Sequence, residues 1–293
     1  MSKACDPIPS TSNPVVGAFP AQIQPSVLNL PARWKGNQSA GAGLSNLGNS
    51  CYLNSTLQCL AYVPPLAHLC LGRTHSSSCP RASSSSSPGS GSTPERRFPK
   101  ERGCRTIVEE LFLGRWQSQV RCLACGHESN TYESFATLPL DIARARSVHE
   151  GLRSFIEAER LDGDNKYKCD KCRQLVPAIK QTTIWDDPNV LVLHLKRFDG
   201  GSLLGKITRH QQELELAETG GDDAGADGGG GHSSIYTLTG VLVHQGASLH
   251  SGHYYAFVRD SHGGWSCMND SHVYGTSLEQ VRQEQAYLLF YTR

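Results

Sequence analysis

Gly43-Leu44-Ser45-Asn46-Leu47-Gly48-Asn49-Ser50-Cys51-Tyr52-Leu53-Asn54-Ser55-Thr56-Leu57-Gln58-Cys59-Leu60 reads as a turn running into a helix. Leu53, Leu57 and Leu60 recur at helical spacing, and Val63 continues the face. Gly48-Asn49-Ser50 is turn and N-cap chemistry, and Pro64-Pro65 marks the stop. Cys51 thus stands in the first turn of the helix. Unpaired backbone N–H groups and the helix dipole favour an anion there, so a thiolate is stabilised. The same donors can hold the oxyanion of an acyl-transfer intermediate, and Asn46 adds a side-chain amide on the preceding turn. A cysteine can equally be a buried structural thiol, and Cys59 and Cys70 read that way.

A base for such a thiol lies about two hundred residues on, in Ser251-Gly252-His253-Tyr254-Tyr255-Ala256-Phe257-Val258-Arg259. Trp265-Ser266-Cys267-Met268-Asn269-Asp270 follows a turn at Asp260 to Gly264. Tyr236 to Gln245, His253 to Arg259, Trp265 to Asn269 and Tyr287 to Tyr291 are rich in aromatic and β-branched residues and predict strands. If Arg259 faces Trp265 across an antiparallel hairpin, His253 and Asn269 are diagonal neighbours on one face. Their Cα atoms are then about 7–8 Å apart at most. Asn269 can fix the imidazole tautomer from there. A slip of one residue would put the two side chains on opposite faces.

Cys122-x-x-Cys125 and Cys169-x-x-Cys172 are two metal-binding knuckles. Eleven cysteines without a signal peptide or an apolar span fit a reducing interior, where thiols bind metal rather than pair. Between the knuckles lie a strand pattern from Tyr132 to Ile142 and a helix pattern from Val148 to Ala158, so they must meet from separate hairpins. His127 is near Cys125, but four thiolates already complete a tetrahedral site. A net charge of +1 and the lack of a basic aromatic stripe speak against nucleic acid as a partner. No membrane association is expected.

With 293 residues the chain can build one large core. Residues 1–40 are Pro-, Ser- and Asn-rich and read as a disordered leader. A catalytic domain over 41–293 is expected. It divides into a cysteine box with its helix (41–75), a low-complexity insert (76–100), knuckles and further strands (106–200), a flexible loop (220–234) and a histidine box (235–293). Val190 to Leu195 is a buried strand, with Lys196 and Arg197 at its end expected to meet solvent or an acidic partner. His194, His244 and His250 read as structural or surface residues.

These stretches resemble the ubiquitin-specific proteases. Gly43 to Leu60 is similar to that family's G-L-x-N-L-G-N-[ST]-C-[YF]-[LM]-N-[SA]-x-[LI]-Q-C-L. Ser251 to Arg259 and Trp265 to Val273 resemble its S-G-H-Y-x-[AC]-[FY]-[VS]-[RK] and W-x-x-[MF]-[ND]-D-[SD]-x-V. Val190 to Phe198 contains its L-x-L-K-R-F strand, and the resemblance also covers Thr106 to Asp141, Lys166 to Phe198 and Tyr236 onward. It implies an α+β, papain-like cysteine protease shaped as a hand, with thumb, antiparallel-sheet palm and zinc-ribbon fingers. It implies Cys51 as nucleophile, His253 as base and Asn269 as third member, as in one branch of the family. Asn46 is the implied oxyanion donor, with Asp270 a second polar residue at the site. A structural zinc ion on Cys122, Cys125, Cys169 and Cys172, ubiquitin and ubiquitinated proteins as partners, a monomer, and an intracellular location in nucleus or cytoplasm are further implications.

The resemblance lapses between the Cys51 helix and Thr106. Only about forty residues lie there, and they contain no Q-[DE]-[AS]-x-E-F segment. The family places thumb helices in this interval, so their lack predicts a partly uncovered apolar face on the Cys51 helix. Two rivals to a full protease follow. One is a ubiquitin binder unable to align Cys51 with His253; the other is a zinc-ribbon scaffold resting on the four cysteines alone.

Overall fold

A computed structural model describes residues 31, 33–72, 106–199, 202–203, 210, 213–216, 234–248 and 251–293. The low-complexity insert, residues 220–233 of the glycine-rich loop and His250 lie outside the described residues. The strands expected near the C-terminus all form: β12 (Ser234–Ser248), β13 (Ser251–Arg259), β14 (Trp265–Asn269) and β16 (Ala286–Thr292), with β15 (His272–Thr276) between the last two. They join β3 (Leu138–Asp141), β8 (Val190–Lys196) and β11 (Glu213–Leu216) in one sheet ordered β15-β14-β13-β12-β16-β8-β3, with β11 on β12. Arg259 pairs with Trp265, the register that places His253 and Asn269 on one face. The sheet departs from the expected all-antiparallel palm at one edge, where β3 runs parallel to β8.

That edge explains a second difference. The strand expected over Tyr132 to Ile142 is two strands, β2 (Glu128–Phe135) and β3, in different sheets. Phe135 and Leu138 are both buried, and three-residue spacing breaks the alternation of a single strand, so the chain bends between them. β2 belongs to a four-stranded sheet ordered β2-β1-β7-β4, with β1 (Gly114–Cys122), β4 (Glu159–Leu161) and β7 (Ala178–Asp186). β5 (Tyr167–Cys169) pairs with β6 (Gln174–Val176), and β9 (Phe198–Asp199) with β10 (Ser202–Leu203).

Both faces of the large sheet are covered, which is why β8 reads as an unbroken apolar run. Leu191, Leu193 and Leu195 point into one core with Leu138, Leu140, Val241 and Phe257. Val190 and Val192 point into the other with Cys59, Val63, Leu242, Ala256 and Phe290. Arg197 continues the inward row of Leu191, Leu193 and Leu195. It is fully buried and its Nε donates to the Ala286 carbonyl, so the expectation that it meets solvent fails, while Lys196 is exposed as expected. Burial pulls the Arg197 guanidinium down to about 10.

Five helices are described: α1 (Cys51–Ala61), α2 (Pro64–Gly72), α3 (Ile107–Phe112), α4 (Val148–Ile156) and α5 (Leu278–Gln283). α4 is the expected helix, capped by the Ser147 hydroxyl accepting from the Glu150 N–H. α1 starts at Cys51 and packs on β12 and β13. The approach is close: a Cβ on Gly240 of β12 would lie 3.3 Å from Cys59. Cys70, expected to be buried like Cys59, is instead exposed on α2. Residues 33–40, the end of the expected leader, run along this core. Trp34 meets Tyr62 edge-on at 6.3 Å, and the Gln38 N–H donates to the Ser261 hydroxyl at 2.8 Å. Among the described residues no helix is long and apolar enough to cross a membrane.

Candidate active site

α1 turns its polar side inward. Asn54, Ser55, Gln58 and Cys59 are buried, whereas Leu53 is 57% and Leu57 46% exposed. Leu53 and Leu57 therefore mark a partly uncovered outer face, while Leu60 packs against the core and Val63 is buried. Buried polar groups need partners, and Asn54 and Gln58 have them in the stretch before the helix, while Ser55 Oγ donates to the Tyr52 carbonyl within it. Gln58 Nε2 donates to the Ala42 carbonyl at 2.9 Å, and Asn54 Nδ2 to the Ser45 carbonyl at 3.2 Å. Residues 42–45 are thereby stitched along α1.

Ser50 occupies the N-cap position without a side-chain cap bond; its hydroxyl accepts from the Leu47 N–H at 2.9 Å instead. The turn is held by Asn46, whose Oδ1 accepts from the N–H of Gly48 at 3.0 Å and of Ser50 at 3.2 Å. Asn49 takes a left-handed φ of 56°, which suits asparagine at a turn.

Cys51 is half-buried at the start of α1. Its neighbour Tyr52 meets Tyr254, the neighbour of His253, edge-to-face with centroids 5.0 Å apart. The start of α1 and the start of β13 therefore converge. His253 Nε2 lies 2.6 Å from Asn269 Oδ1. An amide oxygen only accepts, so Nε2 carries the hydrogen and Nδ1 keeps its lone pair. Asp270, next along, has a left-handed φ of 49° and accepts from Asn46 Nδ2 at 3.0 Å and Asn54 Nδ2 at 2.8 Å. Cys51, His253, Asn269, Asn46 and Asp270 thus come from three stretches of the sequence to one corner of the fold.

The sequence matches the ubiquitin carboxyl-terminal hydrolase family over residues 42–95 and 93–291. The chain belongs to this family. It is 37% identical to ubiquitin carboxyl-terminal hydrolase 25 of Arabidopsis thaliana, over 86% of this chain and 47% of that protein. It is 33% identical to human ubiquitin carboxyl-terminal hydrolase 42, over 89% of this chain and 23% of the human one. The chain therefore spans less than half the length of either relative. A solved SAGA Ubp8/Sgf11/Sus1/Sgf73 DUB module bound to ubiquitin aldehyde superposes with a TM-score of 0.71 at 28% identity, covering 86% of this chain and 69% of that one. The fold is that of the ubiquitin carboxyl-terminal hydrolases, as the α+β protease expectation required. The solved relative sits among other subunits, which lends no support to the expected monomer.

The four knuckle cysteines of this hydrolase-family chain do meet from separate hairpins. Cys122 ends β1 and Cys125 follows in the β1–β2 turn, while Cys169 ends β5 and Cys172 follows in the β5–β6 turn. Their sulfurs all lie within 4.8 Å of one another, with Cys122 to Cys172 at 3.8 Å and Cys125 to Cys169 at 3.7 Å. A tetrahedron with Zn–S bonds of about 2.3 Å has edges of about 3.8 Å, so the donor set fits a metal ion of that kind. The thiols also compete for charge. Burial works against ionising Cys122, but the N–H groups of Cys125 and Ala124 and neighbouring thiols outweigh it and bring it to about 7. Hydrogen bonding to Cys125, burial and the charge on Cys122 push Cys172 up to about 12. A dication would relieve that repulsion.

Sequence reasoning missed Asn54 and Gly43. A Cβ on Gly43 would lie 2.6 Å from the Asp270 carbonyl oxygen. The available signal for Asn54 was a polar residue three positions after Cys51, on its face of the helix.

Proposed function

We propose that this chain is a cysteine deubiquitinase. It hydrolyses the isopeptide, peptide or ester bond after the C-terminal glycine of ubiquitin and so removes ubiquitin from protein conjugates. The observation that carries the proposal is the His253–Asn269 contact of 2.6 Å at the end of β13 that meets the start of α1. Cys51 gives its proton to Nδ1 of His253 and attacks the glycine carbonyl carbon. The resulting oxyanion is held by the first N–H groups of α1 and by Asn46 Nδ2. The imidazolium, steadied by Asn269, protonates the departing lysine amine as the C–N bond breaks. Water, deprotonated by His253, then opens the thioester and frees Cys51. A Gly-Gly end carries no side chains, so a narrow cleft can admit it and refuse bulkier chains.

Cys122, Cys125, Cys169 and Cys172 would hold a structural zinc ion, tying the β1–β2 and β5–β6 hairpins together. Ubiquitin and ubiquitinated proteins are the proposed partners, inside the cell. One observation favours a second reading, a ubiquitin binder with impaired catalysis: the outer face of α1 is uncovered, with Leu53 57% exposed. Turnover of a ubiquitin C-terminal fluorogenic amide separates the two. Cleavage that Cys51→Ala abolishes, with ubiquitin binding retained, supports the hydrolase; binding without cleavage by the parent supports the second reading.

A further inference from the structure

We infer that Asn54 is a positioning residue for catalysis: from one turn inside the Cys51 helix, it fastens the Asp270 carboxylate and, through it, the side-chain amide of Asn46. The inference rests on the proposed function, in which Asn46 faces the developing oxyanion.

Asn54 is only 7% exposed. Its Nδ2 faces three oxygens: Asp270 Oδ1 at 2.8 Å, the Ser45 carbonyl at 3.2 Å and the Leu44 carbonyl at 3.4 Å. Only an NH₂ group satisfies three acceptors, which fixes the orientation of the amide. One hydrogen serves the carboxylate, and the other is shared by the two carbonyls. The bond to Asp270 is charge-assisted and sheltered, the strong kind. Asp270 is then held at three points. Its carbonyl accepts from the Leu44 N–H at 2.8 Å, Oδ1 from Asn54, and Oδ2 from Asn46 Nδ2 at 3.0 Å.

The chain of contacts leads to the reacting centre. Asn46 Oδ1 is occupied by the Gly48 and Ser50 N–H groups. One hydrogen of its Nδ2 goes to Asp270, which leaves a single Nδ2–H for the oxyanion of the proposed mechanism. Its direction is set by where the Asp270 carboxylate sits, and Asn54 sets that. An isosteric loss at Asn54 leaves Cys51, His253 and Asn269 in place and releases the carboxylate. The cost belongs to the step that forms the oxyanion, and binding of ubiquitin is spared.

The test is kinetic. Turnover of a ubiquitin C-terminal fluorogenic amide is measured for the parent, Asn54→Ala, Asp270→Ala and the double variant, at matched folded fraction and zinc content. Asn54→Ala should lower kcat by about 10- to 100-fold, less than the roughly 100- to 1,000-fold typical of deleting an oxyanion donor itself. KM should stay within about twofold, since the contact serves the transition state. In the Asp270→Ala background the same substitution should cost less than about threefold, because its route is already cut. Labelling of Cys51 by a ubiquitin C-terminal alkyne, which forms no oxyanion, should fall far less than turnover. Asn54→Asp adds a pH readout. Two facing carboxylates repel at neutral pH, but when they share a proton the aspartic acid can again donate. The ratio of Asn54→Asp to Asn54→Ala activity should therefore rise as pH falls from 8 to 6.

Equal costs of Asn54→Ala with and without Asp270, parallel losses of labelling and turnover, or a pH-independent ratio would overturn the inference and leave Asn54 a packing residue. If the parent turns over normally and Asn54→Ala matches it, this inference alone fails. If the parent neither turns over nor labels at Cys51, the proposed function fails and this inference with it.

Discussion

Nε2 of His253 and Oδ1 of Asn269 are 2.6 Å apart, joined across the β13–β14 hairpin whose register is set by Arg259 opposite Trp265. The neutral amide orients the ring and leaves Nδ1 to take and return the proton. His253→Ala should therefore lower kcat by about 10²–10⁴-fold. Asn269→Ala should cost about tenfold less than that, because a ring without its partner still samples the productive pose. Asn269→Asp should keep or raise activity, since a carboxylate accepts the same hydrogen and stabilises the imidazolium more strongly. Rates on a ubiquitin C-terminal fluorogenic amide check the order. An Asn269→Ala loss as deep as that of His253→Ala would mean that Asn269 does more than orient.

The sulfur cluster predicts one zinc ion per chain. Metal analysis of purified protein should find it, and Cys→Ser at any of Cys122, Cys125, Cys169 or Cys172 should lower Tm, because metal binding is coupled to folding. A strong chelator should do the same. Protein that is free of zinc yet melts like its serine variants contradicts the assignment.

Gly43 tests how closely the stretch before Cys51 must approach the β14–β15 turn. A methyl group there would come within 2.6 Å of backbone atoms of Asp270 and Ser271, and backbone cannot step aside as a flexible side chain can. Gly43→Ala should lower turnover at least tenfold, by an outer estimate from the loss of donor alignment, with the zinc site intact. Unchanged turnover would show that the approach is not needed in solution.

A pH effect on stability follows from two histidines beneath the site. Burial lowers the pKa of His244, which is 2% exposed and stacked on Tyr254 at 4.3 Å. Burial, with help from Lys196, lowers that of His194. Above the unfolded value near 6.5 neither state binds a proton, so stability there is flat with respect to these groups. Below it the unfolded chain takes up protons that the folded chain refuses, and stability falls toward the depressed folded value. His244→Phe should make that fall shallower between pH 7.5 and 5.5. Denaturation midpoints of parent and variant across this range decide it; parallel curves would count against the account.

Much of this was legible in the sequence because the chemistry is local. The helix start at Cys51, the hairpin register from Arg259 and Trp265, and the two C-x-x-C pairs each follow from spacing within a few residues. What was not legible depends on packing. The face of α1 was read from Leu53 and Leu57, but the inner side is set by Asn54 and Gln58 binding carbonyls of the preceding stretch. Arg197 was read by residue type, and its burial follows from the alternation of β8. The break between Phe135 and Leu138 depends on which sheet each half joins, a long-range matter that periodicity does not record.

The central claim is that Cys51 is a nucleophile directed at the C-terminal carbonyl of ubiquitin. The most direct measurement is reaction of the full chain with a ubiquitin bearing a C-terminal electrophile, followed by mapping of the adduct. The account predicts one covalent ubiquitin per chain, attached at Cys51, lost in Cys51→Ala and slowed in His253→Ala. A chain that binds ubiquitin but forms no adduct, or that carries it on another cysteine such as the exposed Cys70, would contradict it.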